Sequence, residues 1–107
     1  MARTFAGLQG KEFLKVMTWN ILCDSLSDAF DRVPKELLVW EHRQPLIVAH
    51  ILEQAPDVVC LQEVDRYDSL MSGLGEVYEG TCCMKLDGEM GCAILWRKGV
   101  VKAIEAP

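Results

Sequence analysis

The sequence lacks the features that define several common protein classes. Its five cysteines include no C-x-x-C pair, which argues against a zinc site, and an odd number of cysteines in so apolar a chain disfavours a disulfide framework. The longest apolar run, residues 46–52, is interrupted by His50, so no segment has the length of a membrane span. Residues 1–15 contain neither a secretory signal nor a good transit peptide. We therefore expect no membrane partner and a cytoplasmic location, with a nuclear or mitochondrial one still open.

The sequence also lacks a concentration of positive charge. Its formal net charge is −5, and its eleven lysines and arginines are dispersed along the chain. A protein that holds long nucleic acid through many phosphates usually has a basic face. The acidic balance instead suits a site that holds a divalent cation, and it leaves any phosphate-binding surface to be found elsewhere.

The apolar pattern predicts an α/β protein. Residues 1–11 are predicted to be a loose leader, and residues 12–107 to be the N-terminal part of one domain. An apolar helix face runs from Trp40 to Ala55, with a bend expected at Pro45. A second, shorter helix is predicted for residues 65–74, with Asp65 as its N-cap. The predicted strands are 13–19, 57–61, 77–85, 90–97 and 100–104, with the third and fourth joined around Asp87-Gly88.

Two polar residues follow the first two strands of the predicted domain. The strand–helix–strand order predicts a parallel pair, whose carboxyl ends lie at the same edge of the sheet. Asn20 and Glu63 should therefore meet there. One carboxylate with amide and water oxygens is a ligand set that Mg²⁺ accepts. The alternative is that Asn20 caps a turn and Glu63 is a solvated strand end.

Four motifs in order give the sequence a resemblance to a known family. They are Thr18-Trp19-Asn20-Ile21-Leu22, Trp40-Glu41-His42-Arg43, the run from Pro56 to Asp65 (PDVVCLQEVD), and Gly91-Cys92-Ala93-Ile94-Leu95. The chain resembles the endonuclease/exonuclease/phosphatase superfamily from about residue 13 to 97. Within it, the chain is most similar to the branch of nocturnin and the carbon-catabolite-repression deadenylases. The resemblance implies a deoxyribonuclease-I-like fold, a two-sheet sandwich with helices outside.

The resemblance also implies roles for individual residues. Glu63 would be the Mg²⁺ ligand, with Mn²⁺ as a possible substitute, and Asn20 would lie beside the metal as a second catalytic residue. Gln62 and Asp65 would orient Glu63. Lys85, at a hairpin end, is a candidate phosphate or ribose ligand, although a solvated hairpin end explains it equally well. Arg43 is expected to contact a carboxylate or a substrate phosphate near the site.

The motifs that should complete the site are missing from this sequence. No D-x-N stretch follows Glu63, and both histidines precede it. We therefore expect a truncated domain that is inactive by itself. The predicted function is that of a Mg²⁺-dependent phosphoesterase acting on RNA 3′ ends, including poly(A), or on a phosphorylated nucleotide. The alternatives are a sugar-phosphate or inositol phosphatase, or a truncated copy that serves at most as an interaction module.

Overall fold

The computed structural model describes residues 3–6, 13–24, 30–86 and 88–105. Within these ranges the chain forms strands and helices in the order ββααβαβββ. The strands are β1 (Arg3–Ala6), β2 (Val16–Asn20), β3 (Val58–Val64), β4 (Tyr78–Met84), β5 (Gly91–Arg97) and β6 (Lys102–Glu105). The helices are α1 (Lys35–Leu38), α2 (Trp40–Gln54) and α3 (Tyr67–Leu74). No helix in these ranges is long and apolar enough to cross a bilayer.

A four-stranded mixed sheet in the order β2-β3-β5-β4 forms the centre of the fold. Strands β2 and β3 are parallel and are connected through α2, as the predicted βαβ unit requires. Strand β5 runs antiparallel to both β3 and β4, so β4 and β5 form the predicted hairpin. Strands β1 and β6 make a separate two-stranded antiparallel sheet. The α/β fold class is thus confirmed.

Helices α2 and α3 cover one face of the central sheet. Val59 and Leu61 of β3 point to that face and are fully buried, because successive side chains of a strand alternate between the two faces. The main core consists of Ile21, Trp40, Ile47, Ile51, Val59, Leu61, Val64, Leu70, Leu74, Tyr78, Ala93 and Leu95. On the opposite face, Val58, Trp96 and Val101 form a smaller cluster. The sheet is therefore fixed mainly from its helical side.

Several predicted boundaries differ from the structure. Strand β2 begins at Val16 rather than Phe13, whose side chain is 74% exposed. The sequence predicts the regular helix to start near residues 41–43, whereas helix α2 begins at Trp40 and includes Pro45. Part of the predicted loose leader, Arg3–Ala6, is a strand that pairs with β6, and the rest of that leader lies outside the described residues. Pairing partners about a hundred residues apart leave no local pattern.

The predicted N-cap of the second helix is wrong. The residue at the N-cap of α3 is Arg66, and it makes no side-chain capping bond. Asp65 uses its carboxylate elsewhere: Oδ2 accepts a hydrogen bond from the backbone N–H of Asp24, at 2.9 Å.

In the hairpin turn, Gly88 has a φ of 74° and donates its N–H to the carbonyl of Lys85, whereas Asp87 lies outside the described residues.

Candidate functional site

The parallel pairing of β2 and β3 brings the two predicted site residues into direct contact. Asn20 is paired with Gln62 in the sheet register, one residue before Glu63. The side-chain Nδ2 of Asn20 donates to Oε2 of Glu63 at 2.5 Å. Its Oδ1 accepts from the backbone N–H of Leu22 at 3.1 Å. Both ends of the Asn20 amide are therefore engaged, and its orientation fixes one oxygen of Glu63.

A β-bulge sets the direction of Glu63. Leu61 is paired with Ala93 and Val64 with Gly91, so three steps along β3 match two steps along β5. The extra residue interrupts the alternation of the strand, and bulges commonly redirect a side chain in this way. Glu63 has a φ of 56°, in the left-handed region. That conformation costs a residue with a Cβ atom about 1–2 kcal/mol.

One carboxylate oxygen of Glu63 has no hydrogen-bond partner among the residues that the structure describes. Oε2 is held by Asn20, but Oε1 is buried and unpaired within the part of the chain that the structure describes. A buried carboxylate oxygen without a donor is unfavourable, because it has lost water without a replacement. Such an oxygen suits a cation. The same described ranges contain no cluster of three or more His, Cys, Asp or Glu side chains placed to hold a metal ion, so a role of Glu63 as a metal ligand stays a prediction.

A cleft of about 440 Å³ opens beside Glu63. Its size is within the range of small-molecule sites, which are about 300–1,000 Å³. Lys85 lies in the same cleft, at the end of β4, and its backbone N–H donates to the carbonyl of Met90 at 2.8 Å. The full lining is Gln62, Glu63, Cys83, Met84, Lys85, Met90, Gly91 and Cys92. The structure thus brings the candidate metal ligand and the candidate phosphate ligand together.

Arg43 lies behind Asn20 and not in the lining of this cleft. Its Nη2 donates to the backbone carbonyls of Ile21, at 2.5 Å, and of Leu22. Its guanidinium also lies over the ring of Trp40, with 5.6 Å from Cζ to the ring centroid. These contacts hold the loop that follows β2. A substrate contact from Arg43 stays a prediction, and support of the backbone around Asn20 is a role that the sequence did not indicate.

Gln62 and Asp65 make contacts away from Glu63. Nε2 of Gln62 donates to Oγ1 of Thr18 at 3.1 Å and to the carbonyl of Cys60 at 3.2 Å. Asp65 accepts from the backbone of Asp24, which itself forms an ion pair with Arg66 at 2.9 Å. The hydrogen bond and charge of Asp24 raise the pKa of Arg66 above its usual value. Both residues connect β2 or its loop to the end of β3, and their orientation of Glu63 remains a prediction.

The cysteines in the cleft were also missed from the sequence. The strand-like, apolar run 92–96 predicts Cys92 to be a small core residue, but both Cys83 and Cys92 are exposed. The two residues are equally distant from the Asp87-Gly88 turn, and this symmetry is the signal that could have paired them across the hairpin.

The fold and the geometry of the site together define a class of α/β protein. A parallel strand pair with a crossover helix presents an amide and a carboxylate at its carboxyl edge, the arrangement of an α/β protein that binds ligands there. A family model described as Endonuclease/Exonuclease/phosphatase matches residues 17–106. The chain belongs to this family.

Individual relatives agree with that assignment. The chain is 41% identical to Nocturnin of Drosophila melanogaster over 99 residues, which cover 79% of this chain and 15% of that protein. It is 37% identical to Nocturnin of Homo sapiens over 110 aligned residues, covering 87% of this chain and 25% of the human one.

Solved structures give the same result. The human Nocturnin catalytic domain with bound sulfate matches with a TM-score of 0.66 and 34% identity, over 90% of this chain and 36% of that one. ANGEL2, a 2′,3′-cyclic phosphatase, matches with a TM-score of 0.75 and 28% identity, over 92% of this chain and 31% of that one. This chain therefore spans about a third or less of these relatives. The predicted kinship with the nocturnin branch and the deoxyribonuclease-I-like fold are confirmed.

Proposed function

We propose that this chain provides the Mg²⁺-holding part of a phosphoesterase site that acts on RNA 3′ ends or on a phosphorylated nucleotide. The observation that carries the proposal is Oε1 of Glu63, which is buried and has no hydrogen-bond partner among the described residues, in a side chain that lines the cleft. Asn20 already satisfies the other oxygen, so Glu63 has one oxygen available to a cation. Mn²⁺ should substitute for Mg²⁺, since both accept oxygen ligands.

The residues fit Mg²⁺ better than a cation that needs several protein ligands. Mg²⁺ keeps much of its water shell and is commonly bound by one or two carboxylates together with substrate phosphate. A lone Glu63 with a neighbouring amide matches that demand. When bound, the ion would supply charge neutralisation at the phosphate and polarisation of the P–O bond.

The other residues would position groups in the site and would not activate a water molecule. Asn20 keeps Glu63 in one orientation, and Arg43 holds the backbone next to Asn20. Lys85 contributes a positive charge to the cleft and can attract a phosphate. The described site residues include no evident general base for water, so we expect metal binding without turnover from this chain by itself.

The substrate proposal follows the relatives. One relative is named as a 3′-5′-exoribonuclease subunit of the CCR4-Not complex, from Neurospora crassa, and ANGEL2 is a 2′,3′-cyclic phosphatase. Both act on phosphate esters, and the first acts on RNA. These likenesses favour RNA or a nucleotide over a sugar phosphate or an inositol phosphate, which stay as alternatives.

Metal binding tests the proposal directly. Titration calorimetry with Mg²⁺, and electron paramagnetic resonance with Mn²⁺, should show one site in the parent chain. Glu63→Gln should abolish it, because the variant keeps the size of the side chain and removes the charge. Asn20→Ala should weaken it on the order of 10-fold, the usual effect of removing a group that orients a ligand.

The matched control is Glu53→Gln. Glu53 is an exposed carboxylate near the end of α2, at the opposite edge of the sheet, and this variant should bind Mg²⁺ as the parent does. Equal binding by Glu63→Gln and the parent would refute the role of Glu63.

A further inference from the structure

Two cysteines face each other across the β4–β5 hairpin. In the sheet register Cys83 is directly opposite Cys92. Opposite residues of an antiparallel pair point to the same face of the sheet, so the two thiols are neighbours. Both residues are exposed, and both line the cleft that contains Glu63 and Lys85.

The hydrogen-bond pattern gives the geometry of this pair. Lys85 and Met90 are opposite each other, two residues nearer to the turn than Cys83 and Cys92, and the backbone N–H of Lys85 donates to the carbonyl of Met90. In an antiparallel sheet, hydrogen-bonded pairs of opposite residues recur at every second position. Cys83 and Cys92 are therefore a hydrogen-bonded pair, with their Cα atoms roughly 5.5 Å apart. That separation is within the range of disulfides, about 4.4–6.8 Å.

The same geometry makes a bridge strained. Cβ atoms of opposite residues are roughly 4.5–5.5 Å apart and are the more distant in hydrogen-bonded pairs, whereas a disulfide needs about 3.5–4.5 Å. The strands must move slightly together to close the bond. Strained and exposed disulfides are the ones that small thiols reduce easily. A bridge at this position would be reversible.

The remaining cysteines are less suited to this bond. Cys82 is opposite Ala93 and packs against the core on the helical face, where burial raises the pKa of its thiol and so lowers its reactivity. Cys60 is opposite Ile94 and reaches Cys92 only diagonally, at about 7–8 Å. Cys23 is completely buried.

We propose that Cys83 and Cys92 are a thiol-modification site that forms an intramolecular disulfide by exchange with a small disulfide such as oxidised glutathione. The thiolate of one cysteine attacks the glutathione disulfide and releases one glutathione thiolate, leaving a mixed disulfide. The second cysteine, as its thiolate, then attacks the protein sulfur of that mixed disulfide and releases the second glutathione. The protein loses two electrons and two protons, and oxidised glutathione is reduced to two molecules of glutathione.

The bond would act on the wall of the cleft. It would tie β4 to β5 next to Lys85 and would remove two thiols from the lining. The proposal does not rest on the proposed metal site, since the exchange with glutathione uses only the two thiols.

Peptide mapping under non-reducing conditions tests the proposal. The folded chain is incubated with oxidised glutathione, alkylated, and digested with trypsin, which cleaves after Arg66, Lys85 and Arg97. Cys83 is then in peptide 67–85 and Cys92 in peptide 86–97. The expected result is that these two peptides are linked, with the intact chain lighter by about 2 Da for the two hydrogens lost, and that excess reduced glutathione reverses the link.

Variants distinguish the cysteines that share or neighbour this site. Cys82→Ser should keep the link, while Cys83→Ser and Cys92→Ser should each lose it and carry one glutathione instead. Three results would overturn the proposal: a link from peptide 44–66, which contains Cys60; loss of the link in Cys82→Ser; or a link that forms only in urea, which would show that the folded sheet does not favour it.

Discussion

The left-handed backbone of Glu63 predicts an unusual order of stability between two variants. Glu63→Gly and Glu63→Ala remove the same carboxylate and the same bond to Asn20. They differ in that alanine keeps a Cβ atom at a φ of 56°, which costs about 1–2 kcal/mol, whereas glycine does not. The glycine variant in turn loses about 0.5–1 kcal/mol of stability relative to alanine, because its unfolded chain has more conformational freedom. The glycine variant should therefore be more stable by roughly 0.5–1 kcal/mol.

Urea unfolding followed by tryptophan fluorescence measures this difference. With a slope of about 1–3 kcal/mol per molar urea, the midpoint of Glu63→Gly should be higher by a few tenths molar. Glu79, exposed in β4 and not among the residues with positive φ, provides the matched pair. At Glu79 the alanine variant should be the more stable one, as in an ordinary strand. An alanine variant at position 63 that equals or exceeds the glycine variant would refute the strained-bulge interpretation.

Two further variants test supports of the site and of the core. Arg43→Met keeps an apolar side chain in the helix but loses the hydrogen bonds to the carbonyls of Ile21 and Leu22. The free energy of unfolding should therefore fall by about 2 kcal/mol. A loss below about 0.5 kcal/mol would mean that other groups hold the loop. Tyr78→Phe removes the buried hydrogen bond to the carbonyl of Pro56, at 2.6 Å, and should cost about 1–3 kcal/mol at pH 7. Burial raises the pKa of Tyr78, so the folded state keeps the phenol proton longer than the unfolded state. The stability that Tyr78 provides is therefore complete below about pH 10 and is lost as the pH rises beyond that value. In urea unfolding above about pH 10, the difference in stability between the parent and Tyr78→Phe should shrink. A difference that does not change with pH would contradict this role of the phenol.

The sequence predicts the contact between Asn20 and Glu63 better than it predicts their surroundings. Asn20 and Glu63 were identified because each comes just after a predicted strand of a βαβ unit, and chain topology alone places such residues together. The bulge at Glu63 was not predictable, since its left-handed residue is not the glycine that usually marks one. Strand β3 was accordingly predicted to end at Leu61, although it continues to Val64.

Tertiary contacts explain the other differences between the sequence-based predictions and the structure. Asp65 has the residue type and position of an N-cap, but the backbone of Asp24, 41 residues away in sequence, takes its carboxylate. Arg43 was expected to contact a carboxylate or a substrate phosphate, and the structure adds two contacts that were not expected, with carbonyls of a neighbouring loop. In each case the partner lies far away in sequence, and a single sequence carries no record of such contacts.

The hydrogen bond between Asn20 and Glu63 joins residues that are 43 positions apart. Closing a loop of that length is entropically costly, so the bond should exist only once α2 has packed against the paired strands. Any ligand that needs both side chains is thus a ligand of the folded state alone, and its binding must raise the melting temperature. Conversely, a substitution deep in α2 that never touches the ligand will lower the apparent affinity once it unfolds an appreciable fraction of the molecules.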